Sequence, residues 1–278
     1  MKAVLDKVLS QDKTIWKGTS SYINDIFVNE DIIPVRRILD HLETYGLHCK
    51  PVVRVSDGAR VLGLQVGMEN KKLCWKRDND FGEIPKSLTR RNIFSLYGKI
   101  TGNLPVCGWL RVASSYVKRI ANALTKTWDE KMKCNYLEKM LTDMIKRTRN
   151  NDPAKGIWSV YSNEATIWVD ASSIALVVVV KFNGNIIEDA CWLRKNDTIH
   201  INMSELDTVI KGLNKGLNWK MEILHICTDS KAVFHWVTDA LTGKSRLRTK
   251  ASKEMLIRRL HNIANIVDTN SIVNTNSK

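Results

Sequence analysis

Three carboxylates in the second half of the chain stand where chemistry could be done. Asp170 ends an apolar run in Trp168-Val-Asp-Ala-Ser172. Glu205 opens a helical pattern in Asn202-Met-Ser-Glu-Leu206. Asp229 closes another apolar run in Cys227-Thr-Asp-Ser230. If the two runs are parallel neighbouring strands, Asp170 and Asp229 emerge side by side at one sheet edge. Glu205, on the first turn of a helix packed on that sheet, leans towards them. Hard carboxylate oxygens gathered with little Lys nearby suit Mg²⁺ or Mn²⁺. Two such ions about 3.5–4 Å apart clamp the attacking water and the leaving oxygen of a phosphodiester. Each acid also has an ordinary reading. Asp170 closes an Asx-turn, Asn202 and Glu205 form a capping box, and Asp229 is the N-cap of the next helix. All three coincidences at once, in this element order, are harder to accept than one metal site.

The elements that must position these acids follow from the periodicity. Ala165–Ala171 and the β-branched run Ile174–Phe182 read as strands. Asn183-Gly184 is a strong hairpin signal between Phe182 and a third strand, Ile186–Leu193. Leu206, Val209, Ile210, Leu213 and Leu217 recur at helical spacing. Glu222–Thr228 is a fourth strand, Ala232–Leu241 and Ser252–Val267 are two further helices, and Ile272-Val273 could begin a last strand. Hairpin-linked strands followed by helix, strand and helices make a mixed α/β sheet, partly antiparallel. Upstream, Ser20–Asn29 reads as a hairpin with Asn24-Asp25 at its tip, and Ile32–Tyr45 as an amphipathic helix stopped by Gly46. Arg60–Val66 and Lys71–Lys76 read as strands joined near Asn70, and Lys86 to Met144 as mostly helical. The polar segment Arg147–Gly156, with Pro153, reads as a linker.

The 278 residues allow one or two domains. With 44% apolar and 26% charged residues they can bury a core. The formal charge of +14 points to a polyanionic partner, nucleic acid or an acidic membrane face. The charge is concentrated where acids are missing. Between Glu83 and Asp129 lie Lys86, Arg90, Arg91, Lys99, Arg111, Lys118, Arg119 and Lys126, with Trp109, Tyr116 and Trp128 among or beside them. Between Asp239 and Glu254 lie Lys244, Arg246, Arg248, Lys250 and Lys253. One such run is a solvated face; two with interleaved aromatics favour phosphate contact. The longest aliphatic run, Ile174 to Val180, is too short for a membrane helix. No apolar signal segment follows Met1. Six scattered cysteines without a C-x-x-C pair fit reduced thiols in an intracellular protein, cytoplasmic or nuclear.

Ile167-Trp-Val-Asp-Ala-Ser-Ser173, His200-Ile-Asn-Met-Ser-Glu-Leu-Asp207 and Thr228-Asp-Ser230 with Trp236 resemble the ribonuclease H domain of retroelement Pol polyproteins. The likeness is to LTR retrotransposons of the gypsy and BEL/Pao sort. Tyr22-Ile-Asn-Asp-Ile26 resembles the Y-x-D-D hairpin of reverse transcriptase, and Gly46–Pro51 and Val61–Leu64 the palm segments after it. Leu88–Arg119, with Pro105-Val-Cys-Gly-Trp-Leu-Arg111, looks like the connection between polymerase and ribonuclease H.

The resemblance implies a partial reverse-transcriptase palm over 1–80, a basic helical connection over 81–150 and a ribonuclease H-like domain over 151–278. The last has a five-stranded mixed sheet with flanking helices, its final strand truncated. It implies hydrolysis of the RNA strand of RNA–DNA hybrids, with Asp170, Glu205 and Asp229 as catalytic ligands of two Mg²⁺ or Mn²⁺ ions. Nucleic acid is expected to meet Arg90, Arg91, Arg111, Lys118, Arg119, Asn202, Lys244, Arg246, Arg248 and Lys250.

Three departures qualify it. The family's fourth acid follows the last strand, Asp268 comes too early to match it, and the chain is expected to lack it. Val177 stands where the family has a small residue. In the degenerate polymerase motif Tyr22-x-Asn24-Asp25, Asn24 replaces a metal-binding Asp, so this chain is not expected to polymerise DNA alone. The alternative to a nuclease is a non-catalytic nucleic-acid-binding relic. His200 reads as structural, His235 as packing, and Trp158, Trp192 and Trp219 as core or shell. No membrane partner is expected, and the oligomeric state is open.

Overall fold

Alternation in the strands and apolar stripes on the helices are satisfied by separate cores. The computed structural model describes residues 2–78, 81, 87–102, 104–194, 199–242 and 253–270. They fall into two units, 1–54 and 55–278. The boundaries expected at 80/81 and 150/151 therefore fall inside the second unit. No helix among the described residues is long and apolar enough to cross a membrane.

The first unit contains α1 (Lys2–Leu9), α2 (Lys13–Gly18), β1 (Thr19–Tyr22), β2 (Asp25–Val28) and α3 (Val35–Thr44) around Leu9, Ile15, Ile33, Ile38 and Leu42. Asp12 caps α2 by accepting from the Thr14 and Ile15 N–H groups. Gly46, at φ +70°, turns the chain out of α3. The expected hairpin is present, but its turn is Ile23-Asn24, because Tyr22 pairs directly with Asp25. Ile23 takes φ 53°, unusual for a β-branched residue.

The second unit opens with β3 (Ala59–Val61), β4 (Leu64–Glu69) and β5 (Lys72–Arg77). Arg60–Val66, expected as one strand, is a tight hairpin, because Leu62 and Gly63 both take positive φ. Next come β6 (Leu88–Thr89), α4 (Arg90–Thr101), α5 (Trp109–Leu124), β7 (Lys131–Met132) and α6 (Asn135–Asn150). The helices bury Tyr97, Leu110, Val117, Leu137 and Leu141 between them.

The expected linker is ordered structure. Its start belongs to α6, and β8 (Lys155–Ile157) pairs with β5. Asp152 in this segment takes two hydrogen bonds from the buried Arg77, at 2.6 and 2.8 Å. A polar composition suggested a linker because the partner that Asp152 neutralises is 75 residues away in sequence.

Then follow β9 (Glu164–Ala171), β10 (Ala175–Phe182), β11 (Asn185–Leu193), α7 (Ile201–Asn218), β12 (Ile223–Cys227), α8 (Lys231–Leu241) and α9 (Lys253–Asn270). The sheet order is β11-β10-β9-β12, with β12 parallel to β9 and the other pairs antiparallel. This is the ribonuclease H-like mixed sheet, in four described strands. The expected last strand at Ile272-Val273 lies outside the described residues. Asn183 and Gly184 form the β10–β11 turn, both at positive φ. The inward faces of β9 and β10 pack Ile167, Val169, Val178 and Val180 against Leu206, Val209 and Leu213 of α7.

Glycine sets how closely α7 approaches the sheet. A Cβ on Gly212 would come within 2.9 Å of Val169 and 3.0 Å of Ile167. Both are β-branched, and stiff at χ1. Gly212→Val should therefore lower stability by about 1–3 kcal/mol through overpacking, although valine is the better helix former. Urea denaturation checks this; equal stability of variant and wild type would mean that α7 is not held at closest approach.

Candidate functional site

The sheet edge delivers the three acids as the strand order requires. Asp170 is the penultimate residue of β9, and Asp229 lies just past β12, the parallel neighbour of β9. Glu205 lies in the first turns of α7. One carboxylate oxygen from each falls within 4.8 Å of the others. Two oxygens on opposite sides of one Mg²⁺ stand about 4.2 Å apart. Small side-chain rotations would therefore close this set on an ion. Asp170 and Asp229 are exposed, and neither forms an ion pair among the described residues.

None of the ordinary readings of these acids describes the arrangement. Asp170 sits within a strand ladder opposite Val177, not in a turn. The cap of α7 is His200, whose ring accepts from the Asn202 N–H at 3.3 Å, so His200 is structural as expected and Asn202 is not the cap. The cap of α8 is Ser230, which accepts from the Val233 N–H, so Asp229 is not the cap either.

Glu205 is freed from capping and bonded elsewhere. Its Oε1 accepts from the Ala171 N–H at 3.2 Å. Its Oε2 is buried and has no hydrogen-bond partner among the described residues. A buried carboxylate oxygen without a partner is costly, and a hard divalent cation is the group that suits it. The donor set fits Mg²⁺ or Mn²⁺: three carboxylates, no sulfur and no imidazole. Burial raises the Glu205 carboxyl from its ordinary 4.5 to about 7; the Ala171 N–H opposes the rise, and Asp170 and Asp229 add to it.

The basic candidates divide into committed and open groups. Arg111 donates to Asp189 and to the Leu104 carbonyl. Arg90 donates to the Thr125 hydroxyl and carbonyl and lies over the Trp128 ring. Arg91 forms a bidentate pair with Asp129 at 2.7 and 2.9 Å. These three brace the helices and leave less free charge than the sequence suggests. Arg119 is exposed and donates to the Arg194 carbonyl at 2.7 Å. Lys118 is half-buried over the Phe94 ring. Lys244, Arg246, Arg248 and Lys250 lie outside the described residues. In the first unit no group of three acids gathers among the described residues, and Asn24 sits in the hairpin turn beside the exposed Asp25.

Sequence reasoning missed Arg194. Its guanidinium donates to the carbonyls of Ser172 and Ile199, at 2.9 and 2.6 Å, and joins the loop after Asp170 to the start of α7. It also missed Asp189, whose signal was a charged residue on an otherwise β-forming run.

A family model described as a domain of unknown function, DUF7047, matches residues 89–150, the three-helix segment. No curated protein matches the sequence. Among solved structures, a foamy viral protease-reverse transcriptase (dRH) in complex with double-stranded DNA is similar over 100% of this chain, with TM-score 0.69 and 14% identity. The foamy viral protease-reverse transcriptase in complex with an RNA/DNA hybrid is similar over 99%, with TM-score 0.67 and 13% identity. The same enzyme with double-stranded DNA is similar over 100%, again with TM-score 0.67 and 13% identity. This chain spans 48%, 37% and 57% of those chains, respectively. At such identity the likeness establishes the fold, a reverse transcriptase–ribonuclease H-like one, along the whole chain.

The raised Glu205 pKa carries a sign. In metal-free protein the folded state keeps this proton to higher pH than the unfolded chain. Its contribution to stability is full below about pH 4.5 and is lost as pH rises through about 7. Denaturation in chelator across this range should show falling stability for wild type and a flatter profile for Glu205→Gln. Equal slopes would remove Glu205 as their source.

Proposed function

We propose that this chain is a nuclease of the ribonuclease H type that hydrolyses the RNA strand of RNA–DNA hybrids. The observation that carries the reading is the convergence of Asp170, Glu205 and Asp229, with one oxygen of Glu205 buried and without a hydrogen-bond partner among the described residues. Asp170, Glu205 and Asp229 would hold the metal, Mg²⁺ or Mn²⁺, with two ions expected from the family resemblance. A bound divalent ion supplies charge stabilisation at phosphoryl oxygens and a water of lowered pKa. The protein's part is to fix the ligands. The Ala171 N–H orients Glu205, the strand ladder orients Asp170, and Ser230 fixes the turn that carries Asp229. Exposure of both aspartates leaves the cluster open to a polymeric substrate. The order of the sequence motifs supports an origin in an LTR retroelement of the gypsy or BEL/Pao sort. A hybrid is the substrate that the ribonuclease H resemblance implies; neighbours of this fold were solved with a hybrid and with double-stranded DNA.

Asp170→Asn and Asp229→Asn should each abolish cleavage of a labelled hybrid, by at least about 10²-fold, while the fold persists. The estimate follows from loss of electrostatic stabilisation worth about 3 kcal/mol or more. Activity should be higher with Mn²⁺ than with Mg²⁺, since Mn²⁺ holds such ligands more tightly. Undiminished cleavage in both variants would refute the site. Hybrid binding without cleavage under either metal would favour the non-catalytic relic.

The same reading assigns no DNA polymerisation to this chain. Asn24 offers a neutral amide where a carboxylate would be needed. Primer extension with Mg²⁺ or Mn²⁺ should yield no incorporated nucleotide, and incorporation by the pure protein would overturn the assignment.

A further inference from the structure

A cavity of about 540 Å³ lies where α5 meets the outer edge of β11. Its two carboxylates are already answered. Asp189 accepts from Arg111 and from the Cys107 and Gly108 N–H groups. Glu188 accepts from Lys215 and from the Trp219 indole, each at 2.6 Å. One cation lining the cavity is not answered. Lys118 forms no ion pair among the described residues, and its ammonium lies 5.4 Å from the Phe94 ring centroid. One turn earlier on the same helix, the Ser115 hydroxyl, also in the lining, forms no hydrogen bond among the described residues. Burial pulls the Lys118 pKa down. A half-buried ammonium without a counter-charge, beside a free hydroxyl donor, is a setting in which an oxyanion gains both charge and hydrogen bonds.

The cavity is also in line with the carboxylates. Cys191, in its lining, pairs with Val177, and Val177 pairs with Asp170. Directly paired residues point to the same face of a sheet. Two strand spacings put Cys191 about 10 Å from Asp170. Arg119 and Arg194 link the two regions at the strand ends: Arg119 bonds the Arg194 carbonyl, and Arg194 bonds the carbonyl of Ser172, two residues past Asp170.

We propose that this cavity is a phosphate site centred on Lys118 and Ser115. On the nuclease reading, on which this part rests, it holds a backbone phosphate of the nucleic acid other than the one cleaved. The function of the site is to set where the strand lies on the carboxylates.

Cys191 provides a reporter that does not depend on cleavage. The full chain, in chelator, is alkylated with iodoacetamide, and modification at Cys191 is followed by peptide mass spectrometry. Millimolar inorganic phosphate should slow the reaction several-fold in wild type and in Lys118→Arg, but not in Lys118→Ala or Ser115→Asp. An RNA–DNA hybrid should protect in the same pattern. For hybrid binding, the slope of log affinity against log salt should become shallower by about 0.9 in Lys118→Ala, and return in Lys118→Arg. Protection by phosphate without protection by hybrid would overturn the backbone assignment and identify the source as free phosphate or a nucleotide. No protection by either, with an unchanged slope, would overturn the proposal. Because every reading is taken in chelator, failure of the nuclease assignment appears separately, as absence of cleavage when metal is added.

Discussion

Asp189 is the contact on which the arrangement of the second unit depends. It is buried in the edge strand β11, yet it is held by residues far earlier in the chain: Arg111 and the Cys107 and Gly108 N–H groups at the start of α5. The Asp189 N–H also donates to the Pro105 carbonyl, at 2.8 Å. A buried ion pair of this kind adds little net stability over an apolar replacement, because both charges must leave water. It does discriminate between arrangements. If α5 slid along β11, it would leave a buried carboxylate and a guanidinium unmatched, at a cost of several kcal/mol. The clasp fixes how the helical segment meets the sheet that carries the acids.

That clasp also explains the mismatch between the charge of the sequence and the charge of the surface. The acid-free stretch from Glu83 to Asp129 looks like a nucleic-acid face when counted along the chain. In three dimensions Arg111 is matched by Asp189, Arg91 by Asp129, and Arg90 by the Thr125 hydroxyl and backbone. The count along the chain was correct; its meaning depended on partners up to 78 residues away. Lys118 and Arg119 are among those left without a carboxylate partner among the described residues; Lys118 lines the cavity beside β11 and Arg119 bonds the Arg194 carbonyl.

Local signals were legible where one interaction dominates. Asn183-Gly184 fixed a hairpin because both turn positions need positive φ. The apolar run Ala165–Ala171 read as a strand, and in β9 it turns Ile167 and Val169 inward and leaves Asp170 exposed. The acids were found from their places at strand and helix ends. What stayed hidden was long-range or geometric. Helix α7 begins with His200 as its cap, a residue type that ranks low among caps, so the Asn202 signal pointed two residues too far along. The Arg147–Gly156 segment lacked apolar pattern because β8 is short and Asp152 works through charge. Leu62 interrupted an apparent strand by adopting φ 51° beside Gly63, which no propensity rule favours.

The acids themselves are unequal, and the inequality bears on how the site would work. Asp170 and Asp229 are exposed, so their charges are largely solvated and inexpensive to maintain without an ion. Glu205 is buried against Ala171, and its charge is costly until a cation arrives. On the proposed nuclease reading, metal binding and proton loss at Glu205 would be coupled: an ion would have to displace the proton that burial favours. Removing Gly212 from α7 would push the helix away from β9 and with it the carboxylate, since the same close approach brings Glu205 to the Ala171 N–H. The packing of one glycine and the acidity of one glutamate are thus two consequences of a single distance, that between α7 and β9.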